Sequence, residues 1–291
     1  MLSYFANPHR FMALSKWLLP IFGVLGGLMM ISGWAWALTL APEDLYQGPT
    51  ARIMHIHVPA AWVSLMAYGV MAVASLLYLT LKHSIADVAA KAAAPAAAAF
   101  AFICLVTGSL WGRPTWGTYW IWDARLTSML FQLFLILGYM ALRSAFQREQ
   151  DGARAGAILC LVGAINLPII KFSVEWWNSL HQTSSIMANQ GDAIDMCGTI
   201  SDAASQGICE SAVLERSFEI CTQIGIRTDI NTCLQAVQEG FGMPIEFLMP
   251  LLYNAIGASF AFGAFLLAGM RAEITNRQYE AKLARLNRSG S

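Results

Sequence analysis

Residues 111–126 read WGRPTWGTYWIWDARL, with four tryptophans and a tyrosine in one short stretch between two hydrophobic runs. Gly112, Pro114 and Gly117 interrupt it, so one continuous helix is not expected. The rings are expected to spread as a surface that suits a large flat ligand. The plainer reading is an interfacial belt, because Trp and Tyr collect where an apolar ring sits beside headgroups and water. Four tryptophans together with Arg113, Asp123 and Arg125 exceed what anchoring requires.

The runs flanking this stretch place it in a membrane protein. Of 291 residues, 57% are hydrophobic and only 12% charged, outside the range of soluble domains. Formal net charge is zero, which gives no basis for nucleic-acid binding or for a generally acidic partner. On the N-terminal side, a span is expected from about Ala92 to Leu110, opening on an alanine tract with Pro95; it reads as the least hydrophobic of the set. On the C-terminal side a span runs from about Leu126 to Leu142, with Asp123 placed to accept bonds from the free N–H groups at its start. Further out lie spans from Trp17 to about Leu40 and from about Val58 to Leu81, the latter with Pro59 in its first turn. Two more are expected, from about Ala155 to Val174, kinked at Pro168, and from about Ile245 to Met270.

Six spans put both termini on one side. Assigning Arg10, Lys16, Lys82, Lys91, Arg143, Arg148, Arg154, Arg271, Arg277, Lys282, Arg285 and Arg288 to that side collects twelve of the 18 basic residues, which marks it as cytoplasmic. The tryptophan stretch, the 41–57 segment and the 176–244 loop then face outward. His57 stands just before the expected start of its span, and His181 just beyond the fifth span, so both lie at the outer surface. Neutral imidazole is the commonest haem ligand, and two histidines from opposite faces would clamp the iron. No fixed interval ties the two, and His55 is an equal candidate on spacing. Arg52, Arg113 and Arg125 also face outward, where a guanidinium can pair with propionate carboxylates or with headgroups.

These residues carry a resemblance. The run Trp111 to Arg125, as W-G-x-P-x-W-G-x-x-W-x-W-D-x-R, resembles the tryptophan-rich signature of the haem-handling membrane proteins of cytochrome c maturation. With Ile56 to Trp62 (IHVPAAW) and Val174 to Gln182 (VEWWNSLHQ), it is similar to the CcmC family, the six-span members of that group. The resemblance implies a protein of the bacterial inner membrane that binds haem b non-covalently at its periplasmic face. It implies His57 and His181 as iron ligands and Trp111, Trp116, Trp120, Trp122 and Asp123 as the loop that carries the macrocycle. Arg52 and Arg125 match positions on the propionate side. It also implies a small single-span subunit, CcmD, the ATP-driven pair CcmA and CcmB, and a periplasmic haem chaperone, CcmE, as partners beside membrane lipids. The chain has no C-x-x-C-H motif, and no covalent attachment is implied.

The 176–244 loop departs from the family pattern by its length. Residues 189–242 read as an insert in which Cys197, Cys209, Cys221 and Cys233 fall at a constant interval, and outward-facing cysteines are expected to pair. The insert has no histidine and no C-x-x-C spacing, which weakens a metal reading. Ile230, Cys233, Leu234 and Val237 fit one helical face, and Leu214, Phe218 and Cys221 another. Glu210 to Ile220 has no Gly or Pro; as a helix it would hold Cys209 and Cys221 roughly 18 Å apart, against ~6 Å in a disulfide. That disfavours the nested arrangement; Gly225 in the 221–233 interval and Gly198 and Gly207 in the 197–209 interval let each fold on itself, so Cys197–Cys209 with Cys221–Cys233 is expected over the interleaved alternative. Cys104 and Cys160 fall inside spans and read as packing residues.

The expectation is an all-α polytopic membrane protein with six transmembrane helices (1–188 and 243–291) and a small disulfide-containing helical insert (189–242). Its expected function is haem binding and transfer without catalytic turnover. A haem lyase acting on apocytochrome would be favoured by large extra domains, and a b-type cytochrome subunit by histidines inside the spans.

Overall fold

The computed structural model describes residues 7–41, 47–177, 179–181, 194, 196–215, 218–224, 228–241 and 245–289. The helices are α1 (Pro8–Thr39), α2 (Met54–Leu81), α3 (Ser84–Trp116), α4 (Ala124–Ser144), α5 (Glu149–Gly163), α6 (Asn166–Trp176), α7 (Ala203–Glu215), α8 (Phe218–Cys221), α9 (Thr228–Phe241) and α10 (Ile245–Ser289). There is no strand among the described residues. Six stretches are long and apolar enough to cross a membrane, with α5 and α6 forming one of them. The chain divides into a unit of residues 1–180 with 250–291 and a second unit of residues 181–249.

The first unit is organised on the hairpin of α2 and α3, which turns at Lys82, the one described non-glycine residue with positive φ. Ala60, Ala67 and Ala74 of α2 and Ala90, Ala93, Ala94, Ala97 and Ala101 of α3 are all buried in one core with Tyr68 and Met71. Small side chains let two helix backbones approach closely, and in lipid such packing replaces the hydrophobic effect as the source of association. The alanine tract is therefore the packing seam of the unit. It is also not the least hydrophobic span: its best window has a mean hydropathy of 1.9, against 1.5 for α4. Alanine scores as apolar while adding little bulk, so length and packing compensate for what each residue lacks.

Several boundaries move outward from the expected ones. The second span begins on a 3-10 turn, Pro49–Ile53, that runs directly into α2, so Pro49 takes the leading position and Pro59 lies inside the helix, past its first turn. His57 and Val58 are accordingly both helical. The third span continues to Trp116, so the first part of the tryptophan stretch is helical and only 117–123 is not. The fifth span breaks between α5 and α6 at Ala164 and Ile165, just before Pro168, in keeping with the expected kink. The last span is a helix of 45 residues that includes the basic tail.

At the end of the bundle carrying the basic links, Asp87 of α3 is 4% exposed and accepts from two arginines. Arg143 of α4 grips both its carboxylate oxygens, and Arg277 of α10 donates to Oδ2 at 2.8 Å. Arg277 also reaches Glu149 of α5 at 2.6 Å and Glu273 at 2.8 Å. Three helices thus meet at one buried carboxylate, and α5 joins them through Arg277.

The second unit has its own core: Cys197, Ile200, Cys209, Ala212 and Val213, then Cys221, Ile224, Cys233, Ala236 and Val237. The second five repeat the first at a constant offset of 24 positions, a C-x2-I-x8-C-x2-A-V pattern occurring twice. Each copy is a tight turn followed by a helix, and α7 packs on α9. The disulfides are Cys197–Cys209 and Cys221–Cys233, each internal to one copy. Of the expected face of Leu214, Phe218 and Cys221, Leu214 is 61% exposed and Cys221 buried, while the Phe218 side chain lies outside the described residues; the inward positions of α7 are Cys209, Ala212 and Val213. Residues 210–220 are helical in two pieces, α7 and α8, with 216–217 outside the described residues. Cys104 and Cys160 are buried and free.

Removing one partner from a buried ion pair leaves an uncompensated charge, which costs on the order of 3 kcal/mol. Arg143→Met should therefore lower the thermal unfolding temperature in detergent markedly, and the double variant Asp87→Leu/Arg143→Met should recover part of the loss. Equal melting of the single and double variants would show that Asp87 does not set the constraint. In the second unit, each disulfide closes a sequence separation of 12 residues and restricts the unfolded chain by about 3 kcal/mol. With so small a core, reduction is expected to open residues 194–241 to protease while the membrane unit resists cleavage.

Candidate functional site

The alternation of helices brings the start of α2, the end of α3, the start of α4 and the end of α6 to one end of the first unit, opposite the Asp87 cluster. Each sequence-predicted residue of that unit lies here. His57 sits in the first turn of α2, partly exposed, with Nδ1 2.9 Å from the Cys104 carbonyl and 3.2 Å from Thr107 Oγ1. His55, the alternative on spacing, is fully buried, with Nδ1 3.3 Å from the Arg52 carbonyl. Two residues apart on a helix, the two rings point to different sides, and the one with access to the surface is His57.

The tryptophan loop is built from two edge-on pairs. Trp111 and Trp116, five positions apart at the end of α3, meet at 5.1 Å between ring centroids, and Trp120 and Trp122 meet at 5.5 Å. Trp111 is only 6% exposed and donates from Nε1 to Gln47 Oε1 at 2.9 Å, so it faces the protein. Trp122 is 76% exposed and Tyr119 is also exposed. Gly117 ends α3 in the left-handed conformation at φ 77°, which reverses the chain into the loop without the strain a side chain would add. Arg113 donates to the Gly117 carbonyl and lies over the Tyr119 ring at 5.5 Å, pinning the turn. The Trp120 Nε1–H is buried with no partner among the described residues. An unmet buried donor of this kind costs about 1–3 kcal/mol and is the sort of group a bound acceptor would satisfy.

Asp123 caps α4: Oδ1 accepts from the Leu126 N–H at 2.7 Å, and Oδ2 accepts from Ser179 Oγ at 2.5 Å. It is 9% exposed, so its role is to tie the loop both to α4 and to the segment after α6. Arg125 leans on the end of α6, donating weakly to Ser173 Oγ at 3.4 Å and to the Lys171 carbonyl at 3.5 Å. Arg52 donates to the Leu38 carbonyl at 3.1 Å and, at the weak limit, to the Ala41 carbonyl at 3.4 Å, joining the 3-10 turn to the end of α1. His181 is partly exposed and is the first residue of the second unit. Gln47, Thr107, Gly108 and Ser179 were not singled out by sequence reasoning. They are ordinary residues distant in the chain, and only packing makes them part of this surface.

The arrangement can hold a flat, largely apolar ligand with charged edges. It offers exposed indole and phenol faces, the partly exposed imidazole of His57, an unmet indole donor and guanidinium groups.

Known proteins resemble this chain closely. The model of the family described as CcmC, heme exporter protein C, matches residues 1–201. A heme exporter protein C of Bradyrhizobium diazoefficiens is 55% identical over 190 residues, covering 65% of this chain and 72% of that protein. One from Escherichia coli K12 is 46% identical over 187 residues, covering 64% and 76%. A cytochrome c biosynthesis ccmC-like mitochondrial protein of Marchantia polymorpha is 46% identical over 166 residues, covering 54% and 70%. The match takes in the tryptophan stretch and both histidines, and the chain belongs to the heme exporter protein C family.

Proposed function

We propose that this protein binds haem at the periplasmic face of the bacterial inner membrane and delivers it to the periplasmic chaperone CcmE during cytochrome c maturation. It does so without making or breaking covalent bonds itself. The observation that carries the reading is His57. Its Nδ1 faces a carbonyl that can only accept, which leaves Nε2 as the nitrogen with a lone pair, on a partly exposed ring packed on α3 one turn before the tryptophan stretch. His57 and His181 are the proposed iron ligands, with Trp116, Trp120 and Trp122 against the macrocycle and Trp111 and Asp123 holding the loop. Arg52 and Arg125 are assigned to the propionates. The cargo is haem b, held non-covalently; iron so ligated gains a defined spin state while it is carried.

The twelve basic residues on one side support termini in the cytoplasm. The two disulfides support an outward insert, since such bonds persist in oxidising compartments. The 189–242 insert is proposed as a separate element beside His181. The reading includes a complex with CcmA, CcmB and a CcmD-like subunit.

Replacing either His57 or His181 with Gly should lower haem content of the purified protein and shift its visible spectrum from low-spin, with added imidazole restoring part of the signal. Retention of a native low-spin spectrum in the double variant would defeat the assignment. His55→Ala should behave differently: truncating a fully buried side chain should cost roughly 2–4 kcal/mol of stability and leave the spectrum of the folded fraction unchanged. Trp116→Ala, Trp120→Ala and Trp122→Ala should each weaken haem retention, with combined losses that are not additive. Unchanged haem content and transfer across that set would return the loop to a membrane-belt role.

A further inference from the structure

We infer that Thr107 and Gly108 of α3 are positioning residues that hold the His57 imidazole as its Nδ1–H tautomer, with Nε2 as the coordinating nitrogen. The inference rests on the reading of His57 as a haem ligand. Cys104, Thr107 and Gly108 fall at i, i+3 and i+4, so they share one face of α3, and that face meets the His57 ring.

Three contacts define the cradle. The Cys104 carbonyl lies 2.9 Å from Nδ1, and a carbonyl oxygen has no proton to give, so Nδ1 must carry the hydrogen. Thr107 Oγ1 lies 3.2 Å from the same nitrogen, and its hydroxyl donates back to the Ile103 carbonyl at 2.7 Å. The Thr107 oxygen therefore turns a lone pair to the ring and serves as a second acceptor for the same N–H. Gly108 supplies the space. A Cβ built there would stand 2.9 Å from His57 Cε1, closer than side-chain carbons normally approach, and 3.4 Å from Nδ1. The ring thus rests against bare helix backbone, and any side chain at this position would push it off.

A hydrogen bond from the non-coordinating nitrogen fixes both the tautomer and the ring plane of a ligand histidine and makes the other nitrogen a stronger donor. Partners of this kind typically account for 10–100-fold in metal affinity. A merely structural hydrogen bond, satisfying a histidine at a membrane interface, would not require a glycine under the ring, nor would it influence bound iron.

The test uses the full-length protein in detergent, with 15N-labelled histidine, and compares Gly108→Ala, Gly108→Leu, Thr107→Val, Thr107→Ser and His57→Gly. In the haem-free protein, nitrogen chemical shifts should show His57 as the Nδ1–H tautomer, retained in Thr107→Val and lost in Gly108→Leu. Haemin titration should show binding weakened by about tenfold or more in Gly108→Leu, with a shift from low-spin to high-spin that added imidazole reverses. Gly108→Ala should show a smaller change of the same kind in a protein that melts like the wild type. Thr107→Val should raise the midpoint potential of bound haem, and Thr107→Ser should restore it. An Nε2–H tautomer in the wild type overturns the inference. So do wild-type spectra and affinity in Gly108→Leu and Thr107→Val when His57→Gly has lost the low-spin signal. If His57→Gly itself keeps that signal, the ligand reading fails, and with it the coordinating role assigned to the cradle; the tautomer measurement then reports on the packing alone.

Discussion

The close approach of α2 and α3 is the constraint on which the first unit depends. Ala60, Ala67 and Ala74 meet the alanine tract of α3, and none of these residues has a side chain that keeps the backbones apart. Helices held this close expose main-chain groups of one to side chains of the other. At the end of the same seam away from Asp87 the alanines give way to Cys104, Thr107 and Gly108, and the carbonyl and the missing side chain of that face accommodate His57. A bulkier seam would separate the helices and leave the ring without its acceptor. The site is thus the continuation of the packing.

Charge works at the opposite end. Asp87 would be costly alone in a helix bundle, and two arginines from different helices offset that cost while fixing the helices against each other. Arg143 and Arg277, which a count of basic residues treats as markers of sidedness, are also structural ties. One end of the unit is locked by ion pairs, while the other is held by caps and by Arg52, Arg113, Arg125 and Asp123 reaching loop and helix-end groups. The long contacts at that end are those of Arg125 to Ser173 and to the Lys171 carbonyl, while the Asp123 bonds are short.

The second unit follows a different principle. Among its described residues it has ten in the core, too few for a hydrophobic core to sustain a fold by itself, and four of them are cysteines in disulfides. Repeating one short disulfide-closed pattern gives two helices with matching inner faces, and each copy buries what the other leaves open. Cross-linking within each copy keeps the sequence separation short and makes folding local.

What the sequence determined by itself were the features set by local chemistry: six apolar runs, a chain break at Gly117, a cap at Asp123, a kink before Pro168, and cysteine pairing within each half of the insert. Helix length, turn chemistry and loop closure depend on neighbours along the chain, so they are legible in order of residues. Even there, Pro59 and the end of the third span were misplaced, because Pro49 and the 3-10 turn extend α2 and close packing on α2 carries α3 through Trp116. The exchange of faces at Leu214 has the same origin, since which side of a short helix turns inward is decided by its partner. Only the tertiary structure decided which histidine of the pair 55 and 57 reaches the surface, that Trp111 turns inward, and that Thr107 and Gly108 lie under His57. Those facts depend on the rotation of one helix against another, which is fixed by side-chain volumes summed along the whole seam and is written in no single stretch of the chain.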